Sequence, residues 1–408
     1  MKHIAICLSF LALQALSPVH AQSRLTLRSA VDRALQSHPL LAAYRQRVET
    51  SLGMQQQAGL RPNPRMIIQT ENWRAYGTPA FSANHDPDTY AYLSQVFETA
   101  GKRGRRVDLA AAAVRRSELE NELLRKQVAG RVKLAYWNAV GAHRVHELLN
   151  ENLDAFDQIV AYHEARVREG AMAEVDLLKV RLERERGAAT ANSAGLDSER
   201  TLIALYREMG MQTFPAAVLE PLELPAALDL PDPLEALAQR TEVKLAEQQI
   251  ELAHANLLLQ QAGAKPDVDV LFGFKRTSGF STLIGGVQMD LPFRNRNQGS
   301  VAASMAEVRV AESELAAMKA QVLAEARSAR VEVELRGRQL SLLFPSILQH
   351  AQGTSRISQA AYREGGSDLL RLLDSERVRI DVQALYYRSL SEYRQSLVAL
   401  ETAMGVEP

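Results

Sequence analysis

The sequence predicts a mainly α protein with a small β part, a tandem repeat of long helices in which each half carries one β-hairpin. Three observations carry that prediction. The tripeptide Arg168-Glu169-Gly170 recurs as Arg363-Glu364-Gly365 at an offset of 195 residues, and each copy closes one helix-forming run and opens another. Gly104 with Gly299, and Met209-Gly210 with Met404-Gly405, keep the same offset, so the chain reads as two copies of one unit. Each copy also holds two short runs in which apolar and polar residues alternate, the period of a strand.

Composition bounds what such a chain can do. Lysine and arginine total 48, as do aspartate and glutamate, and the sequence pI is near 7.2, which leaves no charge excess for a nucleic-acid binder or a polybasic membrane arm. Aromatic residues make up 6%, few for a compact two-layer core and common in long helices. Lys2 and His3, the apolar run Ile4 to Leu16 and the small-residue site Val19-His20-Ala21 form an export signal, so residues 1–21 are expected to be removed. The single cysteine, Cys7, lies inside that run, too early to be a lipid-modified first residue, and a mature chain without thiol or disulfide chemistry is expected. No later stretch reaches about 18 consecutive apolar residues. Any membrane crossing must therefore be made by strands.

The first repeat, residues 22–210, opens with an amphipathic helical pattern from Leu25 to Leu60, restarted at Ser37-His38-Pro39. Arg61-Pro62-Asn63-Pro64 cannot be helix interior. Strands follow at Met66 to Trp73 and Tyr90 to Phe97, a hairpin over about 65–97 with an exposed loop. Val107 to Val167 then holds no proline and would span about 90 Å as one helix. It turns at Gly170 and returns from Glu174 to Met209. Residues 211–233 carry five prolines from Pro215 to Pro233, an irregular linker along the surface. The second repeat, residues 234–408, replays this order with a helix from Leu234 to Gln261 and a hairpin over about 267–291 that turns at Ser278-Gly279. Val301, Val308, Leu315 and Val322 then recur every seven residues, the period of wrapped helices. Pro345 is expected to kink this arm.

In the second hairpin Val268, Val270, Phe272 and Phe274 share one face, with Asp267, Asp269, Gly273 and Lys275 on the other. Strands of about nine residues with one apolar face have the length and pattern of transmembrane barrel strands. The alternative is an ordinary sheet half-buried on the helices. Very long helices leave little body for such a sheet to pack on, and the chain is exported without another membrane element. Four strands cannot close a membrane barrel, which starts at about eight, so several chains would share one. The tandem helix-hairpin-helix halves, the Arg-Glu-Gly turns followed by Asp176 and by Leu372-Leu373-Asp374, and the closing Met-Gly pairs resemble the TolC-like outer membrane efflux channels over essentially the whole mature chain.

The resemblance implies a homotrimer with a four-stranded contribution per chain to an outer membrane β-barrel of about twelve strands, continued by a helical tunnel across the periplasm. Its partners would be a periplasmic adaptor, an inner-membrane efflux pump and outer membrane lipid, with no nucleic acid, no cofactor and no enzymatic activity. Pro62-Asn63-Pro64 with Glu71-Asn72, and Ala100-Gly101-Lys102-Arg103-Gly104, further resemble the heavy-metal branch of the cobalt-zinc-cadmium type. The resemblance places Asp176, Asp374 and Tyr362 at a pore gate, with Arg371 where some relatives carry an acid. It makes Arg168, Glu169, Gly170, Arg363, Glu364 and Gly365 the adaptor contact.

Each of these positions has a plainer reading. Asp176 and Asp374 suit a helix N-terminus, Arg371 and Asp374 have the spacing of a helix ion pair, and a turn keeps its glycine for structure alone. His143 and His146 are spaced as metal ligands on one helix but have no third histidine near in sequence, and His85-Asp86-Pro87-Asp88 in the outer loop is a similarly weak signal. No nucleophile-base set, phosphate loop or nucleotide fingerprint is present. The expectation is a passive outer membrane exit duct, for heavy-metal cations ahead of drugs or polypeptide. The reading from a different class is a periplasmic coiled-coil scaffold.

Overall fold

The computed structural model describes residues 24–73, 76, 80–226 and 230–406; the expected export signal and Cys7 lie outside them. The first helices are set by their caps. The Thr26 hydroxyl accepts the Ser29 N–H and the Ser29 hydroxyl accepts the Thr26 N–H, a reciprocal box that starts α1 (Leu27–Ser37). His38 Nδ1 accepts from the Leu40 N–H, and Pro39 supplies the first turn of α2 (Pro39–Ala58).

The chain then runs β2 (Arg65–Glu71), β3 (Asp88–Phe97), α3 (Lys102–Arg168) and α4 (Glu174–Glu208). At 67 residues α3 is about 100 Å long. The second half runs α5 (Ala236–Gln239), α6 (Thr241–Gly263), β5 (Val268–Thr277), β6 (Phe280–Met289), α7 (Gln298–Arg338), α8 (Phe344–Arg363) and α9 (Leu369–Met404). A π turn over Gln339–Leu343 joins α7 to α8. Pro345 has no N–H to give the preceding turn, and the helix widens where the sequence predicts a kink.

Four helices end in the same way. Ala171 N–H bonds the Arg166 carbonyl, Met211 that of Tyr206, Gly366 that of Ala361 and Val406 that of Glu401. Gly170, Gly210, Gly365 and Gly405 sit between them at φ 70°, 73°, 75° and 74°. These are Schellman caps, and the left-handed residue is glycine because a Cβ there meets its own carbonyl. The Glu-Gly and Met-Gly pairs that reveal the repeat are therefore the ends of α3, α4, α8 and α9.

The main core lies midway along the long helices. Val128, Val132, Tyr136 and Val140 of α3 meet Leu205 and Tyr206 of α4, Val322 and Val333 of α7, and Leu397 and Met404 of α9. α9 comes close because α3 is bare where they cross: a Cβ on Gly141 would stand 2.3 Å from the Ser391 hydroxyl, which instead donates to the Trp137 carbonyl at 2.8 Å. Along α7 the buried residues Ser304, Val308, Ala311 and Val322 carry the seven-residue period.

The proline-rich stretch 211–233 includes one short strand. Val218–Leu219 (β4) pairs in parallel with Arg24–Leu25 (β1), and Leu222 is buried. The Tyr136 hydroxyl, 0% exposed as a residue, donates between the Leu25 carbonyl at 2.8 Å and Glu220 Oε2 at 3.0 Å. Glu220 also accepts the Leu27 N–H. Its carboxylate satisfies two donors that the helix start and the buried phenol would otherwise leave open.

The strands form one antiparallel sheet in the order β2-β3-β5-β6. The two hairpins of the separate halves are thus joined, Tyr92 opposite Gly273 and Leu93 opposite Phe272. All strand–helix junctions lie at one end of the sheet, near Arg65, Phe97, Val268 and Met289. Strands β2 and β6 keep open edges.

Candidate functional site

The sheet has two unlike faces. On one, Met66, Ile68, Leu93, Phe97, Val270, Phe272, Phe274, Leu283, Val287 and Met289 are all exposed, from 40% for Val270 to 75% for Leu283. Cross-strand register puts them in contact rows: Met66, Leu93 and Phe272 follow one another across three strands, as do Phe97, Val268 and Met289. Val268, Val270, Phe272 and Phe274 share this face, and among the described residues no other element covers it. An apolar surface of this extent is not left to water.

The other face encloses a hollow of about 1050 Å³ lined among others by Arg65, Tyr92, Ser94, Asp269 and Gln288. Ser94 donates to both carboxylate oxygens of Asp269 at 2.6 and 2.7 Å, and Lys275 lies over the Tyr90 ring at 5.0 Å. Gly273 leaves room for Tyr92, where a Cβ would stand 2.3 Å from backbone. Polar residues bonded across strands and aimed into a hollow line a water-filled passage well.

At the far end of the helices both turns come together. Phe156 of α3, Val180 of α4 and Leu369, Leu372 and Leu373 of α9 form a separate apolar cluster against Tyr362. Polar contacts tie one hairpin to the other around it. His163, 1% exposed, donates from Nδ1 to the Ile159 carbonyl and accepts from the Tyr362 hydroxyl at Nε2, both at 2.8 Å, with the rings stacked 5.7 Å apart. Arg379 reaches Asn152 at 2.6 Å and Glu376 at 2.9 Å, and buried Glu376 also accepts from Ser355 and Gln359. Arg377 pairs with Glu183 at 2.8 Å.

Electrostatics follows this packing. Burial pushes the Tyr362 phenol up, and the Asp176 carboxylate adds to it. Burial alone would raise Glu183, but its bonds to Arg377 and Arg186 outweigh that and hold its carboxyl below the ordinary range.

The predicted gate residues stand around this cluster. Asp176 is half-buried at the start of α4 and pairs with Lys179 at 3.2 Å. Arg371 and Asp374 are exposed on α9 and line a shared groove with His350. The expected Arg371–Asp374 ion pair does not form among the described residues. Asp368 caps α9 by accepting the backbone N–H of Arg371 at 2.9 Å. Arg168, Glu169, Gly170, Arg363, Glu364 and Gly365 are all exposed at the turns.

His163 is the tip residue for which the sequence carries no local signal. Its spacing to Tyr362 is 199 residues, and no local pattern links them. His143 pairs with Glu147 at 3.3 Å and His146 with Asn150 at 2.9 Å. Among the described residues no three histidine, cysteine or acidic side chains group as metal ligands.

A family model described as outer membrane efflux protein matches residues 30–211 and 233–406, the two halves. The cobalt-zinc-cadmium resistance protein CzcC of Cupriavidus metallidurans is 22% identical over 95% of this chain and 92% of its own length. Two solved structures share the fold at low identity. A membrane protein from Pseudomonas aeruginosa superposes with a TM-score of 0.79 at 18% identity, over 93% of this chain and 90% of that one. CusC, solved in a study of folding and transmembrane channel formation, gives 0.76 at 17% identity, over 93% and 92%.

Proposed function

We propose, since this chain belongs to the outer membrane efflux protein family, that it is the subunit of a homotrimeric channel in the outer membrane of a Gram-negative bacterium, the passive exit duct for heavy-metal cations. The observation that carries this is the exposed apolar face of an unclosed four-stranded sheet. Its edges β2 and β6 have hydrogen-bonding groups to satisfy, and lipid admits only a closed barrel. Three copies supply twelve strands, enough to close one. Lipid then covers the apolar face, and the polar face becomes the lumen.

The long helices extend from the barrel and end in the paired turns. Exposed Arg168, Glu169, Arg363 and Glu364 have no side-chain partner among the described residues, which suits an adaptor docking there, with an inner-membrane pump beyond it. Threefold repetition sets copies of Asp176 and Asp374 near one another at the tunnel end, where they attract cations. Tyr362 holds the tip through His163. The division into repeats at 22–210 and 234–408, joined by 211–233, fits this reading, because each half supplies one hairpin and one helical turn.

The metal cargo rests on the likeness to CzcC. A strain lacking the chain should become sensitive to cobalt, zinc or cadmium and recover when the gene is returned. Sensitivity confined to organic drugs would move the cargo and leave the channel. In planar bilayers, Asp176→Asn with Asp374→Asn should reduce cation over anion selectivity read from the reversal potential; an unchanged potential removes these residues from the pore.

A further inference from the structure

The four strand–helix junctions (residues 59–65, 98–106, 264–267 and 290–297) hold nine basic side chains and three acidic ones. Two of the acids are already matched, Asp267 by Lys102 at 2.7 Å and Glu98 by Arg106. Arg65, Lys265 and Arg294 line the hollow of the sheet with Asp290. Arg61, Arg103, Arg105 and Arg296 remain, all exposed and none on the hollow.

Arg103 and Arg296 are each tied through Nε, which leaves the two terminal nitrogens of the guanidinium open. Arg103 Nε donates to the Gly59 carbonyl at 2.6 Å and Arg296 Nε to that of Pro292 at 3.2 Å. Arg105 makes only a 3.6 Å contact to Asp108. Of the bulky apolar side chains at these junctions, Leu60, next to Arg61 in the chain, is 53% exposed, while Leu291 and Phe293, at 60% and 78% exposed, border the hollow with Arg294. Among the described residues the opposite rim has no such excess, since Glu71, Asp86 and Asp88 offset Lys275 and Arg276 there.

We propose that this collar binds the phosphodiester headgroups of anionic phospholipids in the leaflet that faces the helical tunnel. The inference rests on the channel reading, since only a chain seated in a bilayer brings these residues to headgroup level. Exposed Leu60 would sit at the acyl boundary while arginine stems extend to phosphate. The guanidinium matches phosphate oxygens in a bidentate way that a lysine cannot. The collar would fix the depth of the barrel at its tunnel end.

The test reconstitutes the full chain and a variant carrying R61Q, R103Q, R105Q and R296Q into nanodiscs of phosphatidylcholine with phosphatidylglycerol, then weighs the released complexes and their bound lipid. The wild type should retain phosphatidylglycerol over phosphatidylcholine by about fivefold or more for each engaged arginine, unchanged by millimolar inorganic phosphate. The variant should keep its oligomeric mass and lose the preference. Equal retention of both lipids by the wild type overturns the collar, and this holds even if the variant fails to assemble. Displacement by inorganic phosphate, or an undiminished preference in the variant, also overturns it. Absence of any oligomer in both proteins instead removes the channel reading and takes the collar with it.

Discussion

Placing an arginine at Phe272, and separately at its neighbour Leu271, separates a membrane barrel from an ordinary sheet. Phe272 is the fifth of ten residues in β5, lies in the apolar row with Met66 and Leu93 and is 62% exposed. A cation at the midplane of a membrane strand costs about 2–4 kcal/mol, and losing the ring from an apolar setting adds about 1.5–3 kcal/mol. Three copies in one barrel sum to roughly 10–20 kcal/mol, as large as the whole stability of a typical domain. Leu271 points the other way, over Gly286 on the hollow side. An arginine there can lay its stem across the glycine and its head in water, at about 1 kcal/mol or less. Outer membrane fractionation and unheated gel electrophoresis should show Phe272→Arg failing to assemble and Leu271→Arg assembling. Equal behaviour of the two, or failure of Leu271→Arg alone, would refute the assignment of faces.

Other perturbations follow from the tip and the caps. Gly170→Ala should cost about 1–2 kcal/mol, the left-handed penalty alone, because nothing lies within 4 Å of its new Cβ, whereas Gly210→Ala adds contacts of 2.8 Å to Pro39 and 3.0 Å to His38 and should cost about 2–5 kcal/mol; thermal midpoints that rank them the other way contradict this packing. Tyr362→Phe leaves buried His163 Nε2 without its donor and should cost about 1–3 kcal/mol while raising single-channel conductance, and an unchanged conductance makes the tie structural only. The Glu183 carboxyl is held below its unfolded value near 4.5, so its contribution is full above that pH and is lost as pH falls through the folded value. Since Arg377 is 53% exposed, that contribution is about 1 kcal/mol or less. Hydrogen-exchange protection in residues 177–190, taken relative to the intrinsic exchange rate at each pH, should fall below about pH 4.5 in the wild type and show a weaker pH response in Arg377→Gln.

Much of this architecture is legible in the sequence because it rests on local physics. Glycine at a left-handed cap, alternation in a strand and a seven-residue period are set by nearest neighbours, so the two Arg-Glu-Gly turns and both hairpins lie within a few residues of where the pattern puts them. What escapes is non-local. Nothing around Tyr92 announces that it will lie against Gly273, so the joining of two hairpins into one sheet appears only in the fold. The β1–β4 pair is two residues on each side, too short for alternation to register, and proline-rich flanks mask it. At the tip, Arg371 and Asp374 have the spacing of an ion pair, but both side chains are exposed, where such a pair gains little against side-chain entropy. His163 and Tyr362 are brought together by the packing of two hairpins, a distance no periodicity spans.

The most direct test of the channel account is the mass of the mature chain extracted from the outer membrane in mild detergent, with the bound detergent subtracted. Three chains in one heat-sensitive particle is the predicted result. A monomer recovered from the periplasm without detergent would contradict it and favour a scaffold whose hairpins stay out of lipid.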